Sequence, residues 1–226
     1  MNAPVEYEQT NPKWSGIMYS GTNNPRETIG TDGCGPTCAA MVVATLRNEK
    51  VTPENAAKWM MAHGGVSPND GTYWSAIGAY LAYWKIPYTQ TNSDILAREA
   101  LKNNYMVITA MGKGNWTKGG HFILAHGIDE NGRIKIHDPN SEATYRELGD
   151  PSKFFAERKQ YWIIREAWMI NLKKIKLVSK DTGKEVEVSA IVYKDENYVR
   201  LRDVPEIAPL DIGYENGKPT FDLVYK

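Results

Sequence analysis

The strongest constraint on this chain is an order: residues 36–102 read as helix, and residues 105–170 read as strand. Pro36 suits the first turn of a helix, and residues 37–48 are rich in Ala, Met, Val and Leu. Thr52-Pro53-Glu54-Asn55 opens a second helix. Thr52 is its N-cap, Pro53 takes the first helical position, and Asn55 stands where a capping box places its acceptor. Two further helices are expected over residues 72–84 and 94–102. Strands are expected over residues 105–111, 121–128, 133–138 and 161–167. The second and third of these are joined by Asp129-Glu130-Asn131-Gly132, whose Asn-Gly ending is a strong hairpin signal. Helices first and antiparallel strands second is an α+β pattern. Residues 1–33, interrupted by Pro4, Pro12 and Pro25, read as irregular.

The texture changes near Asn171. All seven Trp and all four His of the 226 residues lie before it. After it, short strand-like runs at residues 175–178, 185–193 and 198–201 alternate with turns at 181–183 and 194–197. At ~100–200 residues per domain the length fits one medium domain and a small one. The division expected is 1–170 and 171–226, the second part small and β-rich. Lys and Arg number 27, as do Asp and Glu, and the balance holds in each part. A nucleic-acid partner, which needs a basic excess or stripe, is therefore not expected. Charged residues at 24% and apolar residues at 42% exclude wholesale disorder. No apolar run reaches the ~18–20 residues of a membrane span. Residues 1–14 show no basic and apolar signal-peptide regions. Two cysteines are too few for a disulfide scaffold.

Three residues could carry chemistry. Cys34 lies in Asp32-Gly33-Cys34-Gly35-Pro36-Thr37-Cys38, at the entrance to an apolar helix. Backbone N–H groups and the helix dipole stabilise a thiolate there, and glycine on both sides allows a substrate carbonyl to come close. A thiolate nucleophile needs a base, and the base needs an acceptor to orient it. His121 begins one strand of the hairpin and Asp138 ends the other, at similar depths from the turn. Each residue alone has a plain structural reading: a cysteine before a helix is more often core filler, a strand-edge histidine more often bonded to backbone, and Asp-Pro is a turn starter. Their conjunction in this order is what points to catalysis. Zinc is disfavoured, because His121 and His126 are five apart on a strand and fall on opposite faces. A Cys34–Cys38 disulfide is disfavoured by helical i,i+4 geometry. No cofactor is called for.

Residues 1–145 resemble the papain-like cysteine peptidases of the double-glycine-peptidase-like family, related to bacteriocin-leader peptidases. The stretches that carry the resemblance include Tyr7-Glu8-Gln9-Thr10-Asn11-Pro12, Thr28-Ile29-Gly30-Thr31-Asp32-Gly33-Cys34-Gly35-Pro36, Gly119-Gly120-His121-Phe122 and His137-Asp138-Pro139. The resemblance implies a papain-like fold, with Cys34 as nucleophile, His121 as base and Asp138 orienting the imidazole. Leader peptidases carry their oxyanion-hole Gln about six residues before the Cys, where this chain has Thr28. The role passes instead to Gln9, in the more distant Tyr-x-Gln motif. Cys38, the competing nucleophile, falls inside the helix and reads as core.

Residues 171–226 resemble small β-rich domains such as the N-terminal domain of copper amine oxidases, which recur in Gram-positive surface proteins and phage lysins. The carrying stretches are Ala190-Ile191-Val192-Tyr193 and Asn197-Tyr198-Val199-Arg200-Leu201-Arg202-Asp203-Val204. No copper site follows, because the region has neither His nor Cys. The expectation is a peptidoglycan-degrading cysteine peptidase or amidase of endolysin type with a wall-binding module. It would be made in the host cytoplasm and released through a separate pore, or otherwise be secreted. The alternatives are a papain-like protease acting on proteins, and a silent papain fold that binds through Trp14, Tyr73, Trp74, Tyr83, Trp84 and Trp116.

Overall fold

The computed structural model describes residues 3–68, 71–140 and 148–166, and from residue 172 onward the backbone of the strands named below. The chain divides into two compact units, Met1–Trp168 and Met169–Lys226.

The first unit opens with a single turn, α1 (Ile29–Asp32), followed by α2 (Cys34–Leu46) and α3 (Pro53–Ala62). A two-residue pair, β1 (Val66–Ser67) and β2 (Gly71–Thr72), precedes α4 (Trp74–Tyr83), β3 (Tyr88–Thr91) and α5 (Asp94–Lys102). Then come β4 (Val107–Met111), β5 (His121–Ile128), β6 (Ile134–His137), β7 (Leu148–Gly149), α6 (Pro151–Glu157) and β8 (Arg158–Ile164).

Local chemistry explains most of these elements. Every residue of α2 from Gly35 to Ala44 is buried, so the helix has no solvent face and forms the centre of the unit. In α3 the capping box closes as its residues require: Thr52 Oγ1 accepts from Asn55 N, and Asn55 Oδ1 accepts from Thr52 N at 2.9 Å. In α5, Ser93 caps the N-terminus, Asp94 sits in the first turn and Lys102 in the last, each sign matching the helix dipole.

Six strands form one antiparallel sheet in the order β3-β8-β4-β5-β6-β7. Its central strands are buried on both faces. Ile108, Phe122, Leu124, Trp162 and Ile164 pack with α2 in one apolar cluster. Their neighbours Val107, Ile123, Ala125, Tyr161 and Ile163 pack with Leu101, Phe154 and Phe155 of α5 and α6 in another. The β5–β6 ladder contains one irregularity. Gly127 pairs with Lys135 and Ala125 with Ile136, so His126 is an inserted residue. Ala125 and Ile128, three apart, accordingly pack into the same cluster, which an unbroken alternation forbids.

Several bounds differ from those the sequence suggests. Helix α2 begins at Cys34 itself. Helix α4 begins at Trp74 because Thr72 is held in β2, paired with Val66. The last strand starts earlier than residue 161, at Arg158, where it already pairs with Met111 of β4, and it is assigned as far as Ile164; the expected end at residue 167 lies outside the described residues. Some elements depart from the expected pattern: α1 is a helical turn within residues 1–33, read as irregular; β1, β2 and β3 interrupt residues 36–102, read as helix; and α6 is a helix within residues 105–170, read as strand.

The second unit contains β9 (Leu172–Val178), β10 (Glu185–Tyr193) and β11 (Glu196–Val199) in an antiparallel sheet ordered β11-β10-β9. A separate antiparallel pair is formed by β12 (Leu210–Glu215) and β13 (Lys218–Leu223). The expected turn at 181–183 lies outside the described residues, as does the start of the one at 194–197; Glu196 and Asn197 belong to β11.

Candidate active site

Cys34 is the first residue of α2, with Gly33 as N-cap. The first helical hydrogen bond is Thr37 N to Gly33 O at 3.0 Å. The N–H groups of Cys34 and Gly35 therefore have no acceptor within the helix, and Pro36 has no N–H to satisfy. Two glycines make this geometry possible. A Cβ on Gly33 would overlap the Ile29 backbone, and one on Gly35 would overlap the Thr72 side chain.

His121 begins β5, 9% exposed, and Asp138 follows β6 directly, 1% exposed. The imidazole Nε2 donates to Asp138 Oδ1 at 2.6 Å. Asn140 N also donates to Oδ1, at 2.9 Å, in the Asx-turn that Asp138-Pro139 starts. With Nε2 engaged, the other ring nitrogen is left for Cys34, whose side chain lies near enough to the imidazole to favour its protonated form. Burial by itself would disfavour the imidazolium. The hydrogen bond to Asp138 and the nearby Cys34 side chain, with the charges of those two groups, outweigh it and push the His121 pKa up to about 9.

Gln9 is buried, and two hydrogen bonds fix it between the walls of the site. Its backbone N donates to Pro139 O at 2.7 Å, one residue beyond Asp138. Its Nε2 donates to Gly30 O at 2.9 Å, four residues before Cys34. That carbonyl decides the amide's orientation and leaves its second N–H for another acceptor.

Gln9, Cys34 and His121 line an open cleft of about 660 Å³, together with Asp32, Thr72, Trp74, Trp116, Lys118 and Lys159. The sequence singles out neither lysine, and both carry no motif. Of the six aromatic residues considered as a binding groove, Trp74 and Trp116 line this cleft. Trp14 is buried, and Tyr83 is exposed in an aromatic group with Trp59, Tyr80 and Trp84. Cys38, one turn into α2, is fully buried, and burial pushes its thiol pKa well up. Among the described residues no group of His, Cys, Asp and Glu is arranged to hold a metal ion.

The remaining buried histidines stand further along the same hairpin. His126 occupies the inserted position and His137 precedes Asp138, with ring centroids 4.3 Å apart. Burial drives the pKa of His126 down to about 3 and that of His137 to about 4.

The chain matches the description "Peptidase_C39 like family" over residues 9–167, a span holding Gln9, Cys34, His121 and Asp138. No curated protein gives a significant match. Among solved structures it is similar to the peptidase domain of Streptococcus ComA, described as a bi-functional ABC transporter involved in a quorum sensing pathway. The two are 16% identical, with a TM-score of 0.45 over 60% of this chain and 93% of that one.

Proposed function

This chain belongs to the Peptidase_C39 like family and is a cysteine peptidase, and from that premise we propose that it hydrolyses amide bonds of bacterial peptidoglycan through Cys34, His121 and Asp138. The fold is mixed helix and antiparallel sheet of the papain-like kind. The observation that carries the catalytic assignment is the imidazole of His121, buried between the Asp138 carboxylate at 2.6 Å and the Cys34 side chain on the wall of an open cleft.

The chemistry is acyl transfer. The Cys34 thiolate attacks the amide carbon, and the carbonyl electrons move onto oxygen. The N–H of Cys34 and the second N–H of Gln9 hold that oxyanion. The His121 imidazolium gives its proton to the leaving nitrogen as the C–N bond breaks, leaving a thioester. Water, deprotonated by the now neutral imidazole, attacks the thioester, and the carboxylate product and the thiolate are released with the imidazole protonated again. Asp138 keeps Nε2 bonded throughout, so that Nδ1 faces the sulfur.

The choice of peptidoglycan rests on the second unit. Its strands follow the catalytic unit in the order expected of a lytic enzyme with a wall-binding module, and its sequence resembles domains found in surface proteins and lysins. Such an enzyme reaches the wall through a separate pore or by secretion. Among the described residues no helix is long and apolar enough to cross a membrane.

Clearing of a suspension of purified Gram-positive walls by the full chain, and its absence with Cys34→Ala, tests the proposal. A full chain that digests casein but leaves walls turbid would replace it with proteolysis of protein substrates. A chain ending at Ile170 should keep the reaction of Cys34 with iodoacetamide but lose retention on walls. Tethering a binding module raises the local enzyme concentration. Because residues 171–226 carry equal numbers of acidic and basic groups, retention of the full chain should change little with salt.

A further inference from the structure

The hydrogen bond between His121 and Asp138 depends on a register that the hairpin alone would not produce. Beyond the turn, Ile128 pairs with Ile134 and Gly127 with Lys135. An unbroken ladder continuing from there would set Asp138 opposite Leu124, three residues from His121. Side chains three apart on a strand point to opposite faces. The inserted His126 changes the count. Leu124 now pairs with His137, and one step further Asp138 falls opposite Ile123. It is then two residues from His121 and on its side of the sheet. That diagonal relation lets the two side chains meet.

Insertion alone does not hold a strand end in place. The ring of His126 lies 4.3 Å from that of His137, tilted by 52°, and His137 is bonded covalently to Asp138. The ring contact therefore ties the inserted residue to the last residue of β6. Both rings are buried. Charged groups near them include Lys135, next in the ladder, and Glu6, whose Oε2 lies 3.8 Å from His137 Nε2, and the Val5 backbone hydrogen-bonds His137.

We propose that His126 and His137 are positioning residues: their ring contact locks the β-bulge that brings Asp138 into line with His121. The inference rests on the catalytic reading of His121 and Asp138 and adds to it the device that aligns them. Bulges re-aim side chains in this way beside active sites, and a displacement of about 1 Å at such a pair can cost on the order of 10²-fold in rate.

The test reads His121 directly, by NMR titration of the full chain, so it does not depend on which bond the enzyme cuts. His126→Ala and His137→Ala should each move the His121 titration from about 9 toward its ordinary 6.5, because the carboxylate slips away from Nε2. Turnover should fall on the order of 10–100-fold with KM little changed. The double variant His126→Phe/His137→Phe keeps two rings in contact without their nitrogens, and should restore both the titration and turnover. Folded alanine variants in which His121 still titrates near 9 would overturn the proposal. So would a double phenylalanine variant that fails to fold or titrates low, since the bulge would then need imidazole polarity rather than a ring contact. Wild-type His121 titrating at its ordinary value would instead sink the catalytic reading itself.

Discussion

The β5–β6 hairpin holds two pairs of buried groups that behave in opposite ways. At its open end His121 faces Asp138 and its pKa rises to about 9. Further along, His126 and His137 face one another and fall to about 3 and about 4. Residue type, strands and depth are shared. The difference is how close and how buried the carboxylate is: burial disfavours the imidazolium in both places, and buried Asp138 at 2.6 Å, with Cys34 beside it, outweighs that at the open end, whereas half-exposed Glu6 at 3.8 Å from His137 does not. One hairpin thus keeps a proton ready for transfer at one point and excludes protons at another.

Removing the reacting groups should give the largest effect. Cys34→Ala and His121→Ala are each expected to lower turnover on the order of 10⁴-fold or more while the protein stays folded. Cys38→Ala should keep most of the activity, because that thiol is buried a turn inside the helix. Steady-state rates with matched circular dichroism spectra make the check. An inactive Cys38→Ala beside an active Cys34→Ala would reverse the assignment.

A smaller loss is expected from Asp138→Asn, about 10²-fold, because the amide oxygen still accepts from Nε2 but carries no charge. This variant sharpens the contrast between the pairs, since it should make His121 titrate more like His126. In the wild type the alkaline fall in rate should lie near pH 9, where the imidazolium is lost. In Asp138→Asn it should move to lower pH. Rate profiles with coincident alkaline limbs would separate the His121 pKa from its carboxylate.

The smallest effect is on stability, and its sign differs between the pairs. Folded His121 binds its proton more tightly than the unfolded value of 6.5 allows. Its contribution is complete below that pH and is lost as pH rises through about 9. His126 and His137 bind theirs more weakly. Their contribution is complete above 6.5 and is lost as pH falls through about 4 and about 3. Thermal melts across pH should therefore decline on both sides, and the double phenylalanine variant should flatten the acid side alone. An unchanged acid limb in that variant would assign acid sensitivity to other groups.

Much of this molecule is written in local sequence. The apolar run after Pro36 makes α2, Thr52 and Asn55 close a capping box, and Asn131-Gly132 turns the hairpin that carries His121 and Asp138. Even α6, which falls where strand is expected, has a local signal: Asp150 caps it by accepting from Ser152 N at 2.7 Å, and Pro151 takes the first position. These features need only neighbours within a turn, so residue identity decides them. What the tertiary structure alone decided is non-local. It inserts β8 between β3 and β4. It uses Gln9 to bridge Gly30 and Pro139. It also places one extra residue at His126, which changes which face Asp138 shares. Strand periodicity is two, so a single inserted residue reverses every facing beyond it. Where the insertion falls depends on packing against both faces of the sheet, and no window of sequence along one strand contains that information.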